Sequence, residues 1–151
     1  MKTKIVENYI YEGFGFPVEL KKVEMYFIED DWQPKIDIQK VADEVIAKLA
    51  VHEARLTGHQ IRFIRSYFSM PLREFGEKVA HESHMAVSKW EKKGEQPTNM
   101  NANTEHEVRL FIAEKILAKS KSPKSKFYEL YMATKKFLTG SDKPTIIQAR
   151  A

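Results

Sequence analysis

Cysteine is absent from the 151 residues of this sequence. Its absence excludes disulfide bonds, thiolate zinc sites and cysteine nucleophiles, and it fits a reducing compartment. The N-terminal segment has no continuous apolar core of the kind found in signal peptides, because Glu7, Asn8 and Glu12 interrupt its apolar residues. We therefore expect a cytoplasmic protein.

Long apolar runs are also missing, and none approaches the ~18 residues that span a bilayer. We expect a soluble protein with no membrane partner. No nucleophile paired with a base is visible, so the chain is not expected to be an enzyme. The histidines lack the spacing of a zinc site on one helix face, and neither a metal nor another cofactor is expected; they are His52, His59, His81, His84 and His106.

Two segments near the N-terminus are predicted to be turns rather than binding sites. Gly13 and Gly15 lack the lysine and the following helix of a phosphate-binding loop. The carboxylates of Glu29, Asp30 and Asp31 are consecutive, and such side chains on an extended chain seldom converge on one ion.

The positive charge is unevenly distributed along the chain. The net charge is −3 over residues 1–50, +3 over 51–94, −1 over 95–119 and +5 over 120–151, which gives +4 in total. A polyanion is expected to meet the middle and the end of the chain. The acidic N-terminal third suits a different partner.

Aromatic and β-branched residues between Tyr9 and Ile28 predict strands. Apolar residues alternate on both sides of Lys21 and Lys22, so we expect a hairpin that turns at these two lysines. Short strands are marginally stable alone, and this piece is expected to pack on the next helix or on a second copy. The predicted fold is mainly α with a small N-terminal β element, α+β overall.

Amphipathic spacing predicts helices over most of the remaining chain. The first runs from Ile38 to Ala50 after an Asp37 N-cap, and the second opens after a Thr57 N-cap and ends near Ser69.

The later helices are shorter or lie nearer the basic end of the chain. Further helices are predicted from Pro71 to a break at 81–84, over 84–94 (HMAVSKWEKKG), from a Thr104 cap to about Lys119, and over 127–137 before a frayed tail. We divide the chain into an N-terminal piece (1–52), a central domain (53–120) and a basic C-terminal helix and tail (121–151).

Two short helices joined by a tight turn, the second ending in the run WEKKG, resemble the helix-turn-helix of the Cro/C1 repressors, also called the XRE family. The resemblance covers about residues 57–117 and implies a five-helix DNA-binding domain. Apolar side chains between the two helices are expected to fix their crossing, so that the second helix enters the major groove. These side chains are Phe75, Val79, Val87 and Trp90.

The resemblance also implies which residues contact DNA. Those facing the bases are Ser83, His84, Met85, Ser88 and Lys89, and those reaching phosphates are Arg73 and Lys92. Lys89 is expected to read guanine, and Met85 to touch a thymine methyl group. Two features depart from the family pattern: Leu72 stands where a DNA-contacting glutamine is common, and the turn at 81–83 is one residue longer than usual.

Arg65 and Glu91 occupy positions where the family often has an ion pair. This pair braces the helix before the motif against the end of the recognition helix. We expect the two side chains to pair and to have a structural role.

The whole layout is similar to that of HigA- and MqsA-type antitoxins. The zinc ribbon of the MqsA type is not carried over, because the sequence has no cysteine. The resemblance implies a dimeric, sequence-specific repressor of operator DNA, and an antitoxin that binds a cognate toxin protein. The alternative is a protein-interaction adaptor that keeps the helix-turn-helix as a scaffold without reading DNA.

Overall fold

The structure is a computed structural model that describes residues 2–119, 124–140 and 143–151. The chain forms two compact units, Met1–Val45 with Ile146–Ala151, and Ile46–Thr145. The described residues combine a four-stranded sheet with six α-helices, so the fold is mixed α and β. The domain boundaries that the sequence suggests, after residues 52 and 120, stay predictions.

The sheet lies in the first unit and is built around one long central strand. Its strands are β1 (Thr3–Tyr11), β2 (Val18–Ile28), β3 (Asp31–Pro34) and β4 (Ile147–Arg150). β2 pairs antiparallel with β1 on one edge, while its other edge pairs antiparallel with β3 and parallel with β4. Among the described residues, β1 therefore has a strand on one side only.

The two predicted turns are confirmed. β1 and β2 are joined through the glycine segment, where the Gly15 amide donates to the Glu12 carbonyl at 3.1 Å. β2 and β3 are joined by Glu29 and Asp30, with φ angles of 51° and 62°. Positive φ at both central residues is the geometry of a type I′ hairpin, whose twist matches that of the strands.

The hairpin predicted at Lys21 and Lys22 is wrong, because β2 continues through both lysines. Lys22 has a φ of 53°, and both lysines are exposed, whereas Leu20 before them and Val23 after them are fully buried. The strand is kinked at this point. The buried residues of β2 are even-numbered before the lysines and odd-numbered after them. In the sequence, this change has the same pattern as two separate strands joined by a turn.

The prediction of a frayed tail is also wrong. Ile147 and Ala149 are buried in the sheet, opposite Val18 and Leu20 of β2. Burial of these two apolar side chains and the backbone pairing to β2 order the last strand.

The first two helices begin where the sequence predicts. Helix α1 (Ile38–Val51) follows Asp37, whose carboxylate accepts from a first-turn amide at 3.2 Å. Helix α2 (Gly58–Tyr67) starts with a capping box: the Thr57 hydroxyl accepts from the Gln60 amide at 3.2 Å, and the Gln60 side chain accepts from the Thr57 amide at 3.0 Å. Both caps satisfy amides that lack an intrahelical partner.

The remaining elements of the second unit follow in chain order. They are α3 (Leu72–Phe75), a π-helical turn (Gly76–Ala80), α4 (His84–Glu91), α5 (Ala102–Lys119), α6 (Lys124–Ala133) and a 3-10 turn (Lys136–Thr139). Together with α2, these elements contribute apolar side chains to a core. This core includes Ile61, Ile64, Phe75, Val79, Val87, Val108 and Ile112. None of the helices in the described ranges has the length and apolar character needed to cross a membrane.

Helix α5 begins earlier than predicted, so Thr104 is not its cap. The Asn101 side chain accepts from the Asn103 amide at 2.8 Å, and its carbonyl accepts from the Glu105 amide at 2.9 Å. Asparagine is a stronger N-cap than threonine, and Thr104 consequently lies inside the first turn.

Candidate nucleic-acid interface

Helix α3 continues into the π-helical turn at Gly76–Ala80, which a three-residue turn, 81–83, joins to α4. His81 has a φ of 55°, and the amides of His81 and Glu82 both donate to the Gly76 carbonyl. The preceding turn is π-helical, and it therefore holds one more residue per hydrogen-bonded ring than an α-helix. The turn at 81–83 is thus preceded by a wider helical turn, and the turn itself is three residues long.

Helix α4 buries one side and exposes the other. Val87 is fully buried, whereas Met85 is 63% exposed and Lys89 and Lys92 are exposed. Met85, Lys89 and Lys92 are spaced four and three residues apart, so they lie on one face of the helix. Eight residues give a helix about 12 Å long. The diameter of an α-helix with its side chains, about 10–12 Å, fits the width of the DNA major groove.

The end of α4 is fixed to α2 by an ion pair. The Arg65 guanidinium donates to both carboxylate oxygens of Glu91, at 2.8 and 2.9 Å, and also to the Met70 carbonyl at 3.0 Å. These hydrogen bonds to the Glu91 carboxylate raise the pKa of Arg65. The pair expected from the sequence is thus present, and its two parallel bonds fix orientation as well as distance.

A second fixation of α4 uses close backbone contact at the start of α2. The His59 amide donates to the Gly94 carbonyl at 2.9 Å, and the Gly58 amide donates to the Gln96 carbonyl at 3.2 Å. A Cβ on Gly58 would lie 2.5 Å from the Trp90 carbonyl oxygen. Only glycine allows this approach, so α4 and the loop after it are held directly against the first turn of α2.

The residues predicted to contact DNA lie on α3, on α4 and in the turn between them. Ser83, Met85, Lys89, Lys92 and Arg73 are exposed, while His84 and Ser88 are half-buried. The Ser83 hydroxyl also caps α4 by accepting from the Ala86 amide at 3.1 Å. The Ser83 side chain thus caps α4 and is also exposed at the surface.

The side chains predicted to fix the helix crossing are not all equally buried. Phe75, Val79 and Val87 are buried, whereas Trp90 is half-buried in the last turn of α4. Tryptophan is large and is rarely covered completely.

A buried ionic cluster in the same unit was not expected from the sequence. Glu105 is fully buried and accepts from Arg55 at 2.9 Å and from Arg109 at 2.9 Å. Arg109 is also fully buried, with the Phe137 ring 4.2 Å from its guanidinium carbon. The available signal was an i, i+4 glutamate–arginine pair beside the apolar residue Val108, but the third member comes from a distant segment.

Arg109 uses all its donors within the protein. Besides Glu105, its N–H groups reach the carbonyls of Leu49, His52 and Ala54, where helix α1 ends. A guanidinium has five N–H groups, and none is left for a ligand. Although burial lowers the pKa of Arg109, the cluster is structural, since Arg109 binds one carbonyl in the last turn of α1 and two carbonyls just after it.

Two histidines have packing roles in this unit. The Thr134 hydroxyl donates to the Tyr131 carbonyl at 2.6 Å, and its oxygen therefore accepts from His106 Nε2 at 3.1 Å. His52 lies 3.1 Å from the Thr145 hydroxyl. Within the described part of the chain, no three histidine, aspartate or glutamate side chains lie close enough together to hold a metal ion.

Comparison with known proteins yields no relative. No protein-family model, no curated protein and no solved structure matches the chain.

Proposed function

We propose that this protein binds double-stranded DNA in a sequence-dependent manner, with α4 as the recognition helix of a Cro/C1-like helix-turn-helix. One observation carries the proposal. Helix α4 exposes Met85, Lys89 and Lys92 on one face while its opposite face and its C-terminal end are fixed to the core. A rigidly held helix with an exposed, basic outer face is what major-groove readout requires.

The positive charge of the surface around α4 also supports DNA binding. Arg73, Lys89, Lys92 and Lys93 are exposed around the motif. Glu91 is engaged by Arg65, and Lys78 pairs with Glu74 at 3.1 Å. Cations on α4 can therefore act on phosphates or base edges without first losing a partner on the same helix.

The roles of individual residues follow from their positions. Lys89 is proposed to donate to guanine and Met85 to contact a thymine methyl group. Arg73 and Lys92 are proposed to bind phosphates. Ser83, His84 and Ser88 are proposed to face the bases. A repressor of this kind would act as a dimer on a pseudo-palindromic operator.

The test is selection of bound duplexes from a randomised DNA pool, followed by fluorescence-anisotropy titration of the selected duplex and a scrambled one. Lys89→Ala is expected to weaken binding to the selected duplex by about 1–3 kcal/mol, and added salt is expected to weaken all binding. Lys40→Ala, which removes an exposed lysine on α1, is the matched control and is expected to leave affinity unchanged.

Equal affinity for the two duplexes would contradict sequence reading. Absence of binding to any DNA at low salt would favour the adaptor function, in which the same scaffold contacts proteins. The resemblance to antitoxins and the expected toxin partner stay predictions, and the DNA experiment does not depend on them.

A further inference from the structure

The outer edge of β1 is an unusual surface for a protein of this size. β1 is nine residues long, and the described residues provide no strand on its second side. Ile5 is 65% exposed and Ile10 is 48% exposed. Natural sheet edges are normally shortened, covered, or interrupted by proline or charge. β1 has no proline, and its charged side chains are those of Lys4 and Glu7.

The two faces of β1 follow from its pairing with β2, because residues directly opposite in an antiparallel pair share a face. Val6 lies opposite the buried Val23, and Tyr9 opposite the buried Leu20. Ile5 and Ile10 lie opposite the non-buried Glu24 and Glu19, and thus on the outer face. The alternation of inner and outer residues along β1 therefore changes between Glu7 and Asn8, beside the irregular part of β2.

We propose that the free edge of β1 pairs antiparallel with β1 of a second copy of this chain, so that two sheets become one continuous sheet. This association is independent of DNA binding. Two-fold symmetry requires that residues opposite each other across the new pair lie on the same face. That condition restricts the possible registers.

One register satisfies the condition along the whole strand. It places the two-fold axis between Glu7 and Asn8, where the alternation changes. The resulting cross-strand pairs are Lys4 with Tyr11, Ile5 with Ile10, Val6 with Tyr9, and Glu7 with Asn8.

The chemistry of these pairs favours a second copy as the occupant. The two exposed isoleucines cover each other, and Val6 with Tyr9 is a β-branched and aromatic pair, a combination that stabilises sheets. No like charges face each other. A register centred on Glu7 would instead oppose two carboxylates, and one centred on Asn8 would oppose the inner Val6 to the outer Ile10.

The absence of native cysteine allows a cross-linking test of this register on the full chain. Ile5→Cys mixed with Ile10→Cys is expected to form an oxidised heterodimer, because the two positions lie about 5 Å apart between Cβ atoms. Each variant alone is expected not to cross-link, since two copies of the same position would be about 17 Å apart along the strands. Ile28→Cys mixed with Ile5→Cys is the control and is also expected not to react.

Sedimentation equilibrium without DNA gives the second measurement. The parent is expected to be a dimer that Ile5→Lys with Ile10→Lys converts to monomer, whereas Ile28→Lys, at a position 47% exposed in the same sheet, leaves the dimer intact. Circular dichroism would verify that each variant is folded. A monomeric parent at every concentration, a dimer insensitive to the β1 lysines, or cross-linking of residue 5 to residue 5 would each overturn the proposal.

Failure here is distinguishable from failure of DNA binding. The DNA experiment changes Lys89 on α4, and the association experiment changes β1. If β1 instead receives a strand of another protein, the purified chain would be monomeric, and the proposal of a second copy would be wrong.

Discussion

Gly58 is a residue whose missing side chain determines where helix α4 lies. Its backbone is covered by the last turn of α4, and a Cβ would approach the Gly94 nitrogen to 2.6 Å. These contacts are backbone atoms, which cannot move aside as the end of a flexible side chain would. Any larger residue must therefore displace either the start of α2 or the end of α4.

Gly58→Ala is expected to destabilise the protein by about 1–3 kcal/mol, the usual cost of overpacking. It is also expected to weaken binding to the selected DNA, because the displaced helix no longer presents Lys89 in the same position. Urea denaturation and anisotropy measure the two effects. Ser66→Ala, at an exposed position of the same helix, is the control. An unchanged denaturation midpoint would show that the close contact is not present.

Glu105 is the residue on which two buried or partly buried guanidinium groups depend. Glu105→Gln keeps the shape of the side chain but leaves Arg55 and Arg109 without a carboxylate. Removing one partner of a buried pair costs about 3–5 kcal/mol. Glu107→Gln removes an exposed carboxylate from the same helix. The urea midpoint is expected to fall strongly for the first variant and little for the second. Equal midpoints would mean that the Glu105 carboxylate contributes no more to stability than the exposed Glu107 carboxylate.

At the level of secondary-structure elements, local signals were sufficient for the helices that carry their own caps. Asp37 and Thr57 both stand before an amphipathic run, and both accept the expected hydrogen bonds. The ion pair between Arg65 and Glu91 was predicted through a resemblance, since its members are far apart in sequence. Local pattern and motif spacing therefore predicted α1, α2 and the bracing of α4.

Elements whose formation depends on distant partners were missed. Ile147 and Ala149 order a strand only because β2 lies beside them, and no local pattern indicates that neighbour. Lys22 adopts a left-handed backbone inside a strand, a choice that the sequence around it does not signal. The Arg55, Glu105 and Arg109 cluster joins two segments that meet only in the folded chain. In each case tertiary contacts decided the structure.

At the scale of the whole protein, two histidines make stability depend on pH. Burial and the charge of Arg109 lower the pKa of His52, and burial and the charge of Lys135 lower the pKa of His106. The unfolded chain therefore binds more protons than the folded chain once the pH falls through about 6.5. The contribution of the two histidines to the free energy of unfolding is largest above that pH. It decreases as the pH falls toward their lowered pKa values in the folded protein.

The free energy of unfolding is expected to decrease between pH 7 and about pH 5.5, a range above the usual carboxylate pKa values. Urea titrations at the two pH values measure it. The double variant His52→Gln with His106→Gln is expected to show a smaller decrease than the parent. His81→Gln, at an exposed position, serves as the control. A decrease of the same size in all three proteins would exclude the two histidines as its source.

The π-helical turn at Gly76–Ala80 affects how a helical spacing pattern applies to the sequence before and after it. One additional residue is held within that turn, while Phe75 before it and Val87 after it both remain in the core. The wider turn therefore lies between two buried side chains of the same core. A sequence pattern with fixed α-helical spacing, aligned on Phe75, would be one position out of step along α4, whereas a pattern counted back from Trp90 and Glu91 does not cross the π-helical turn.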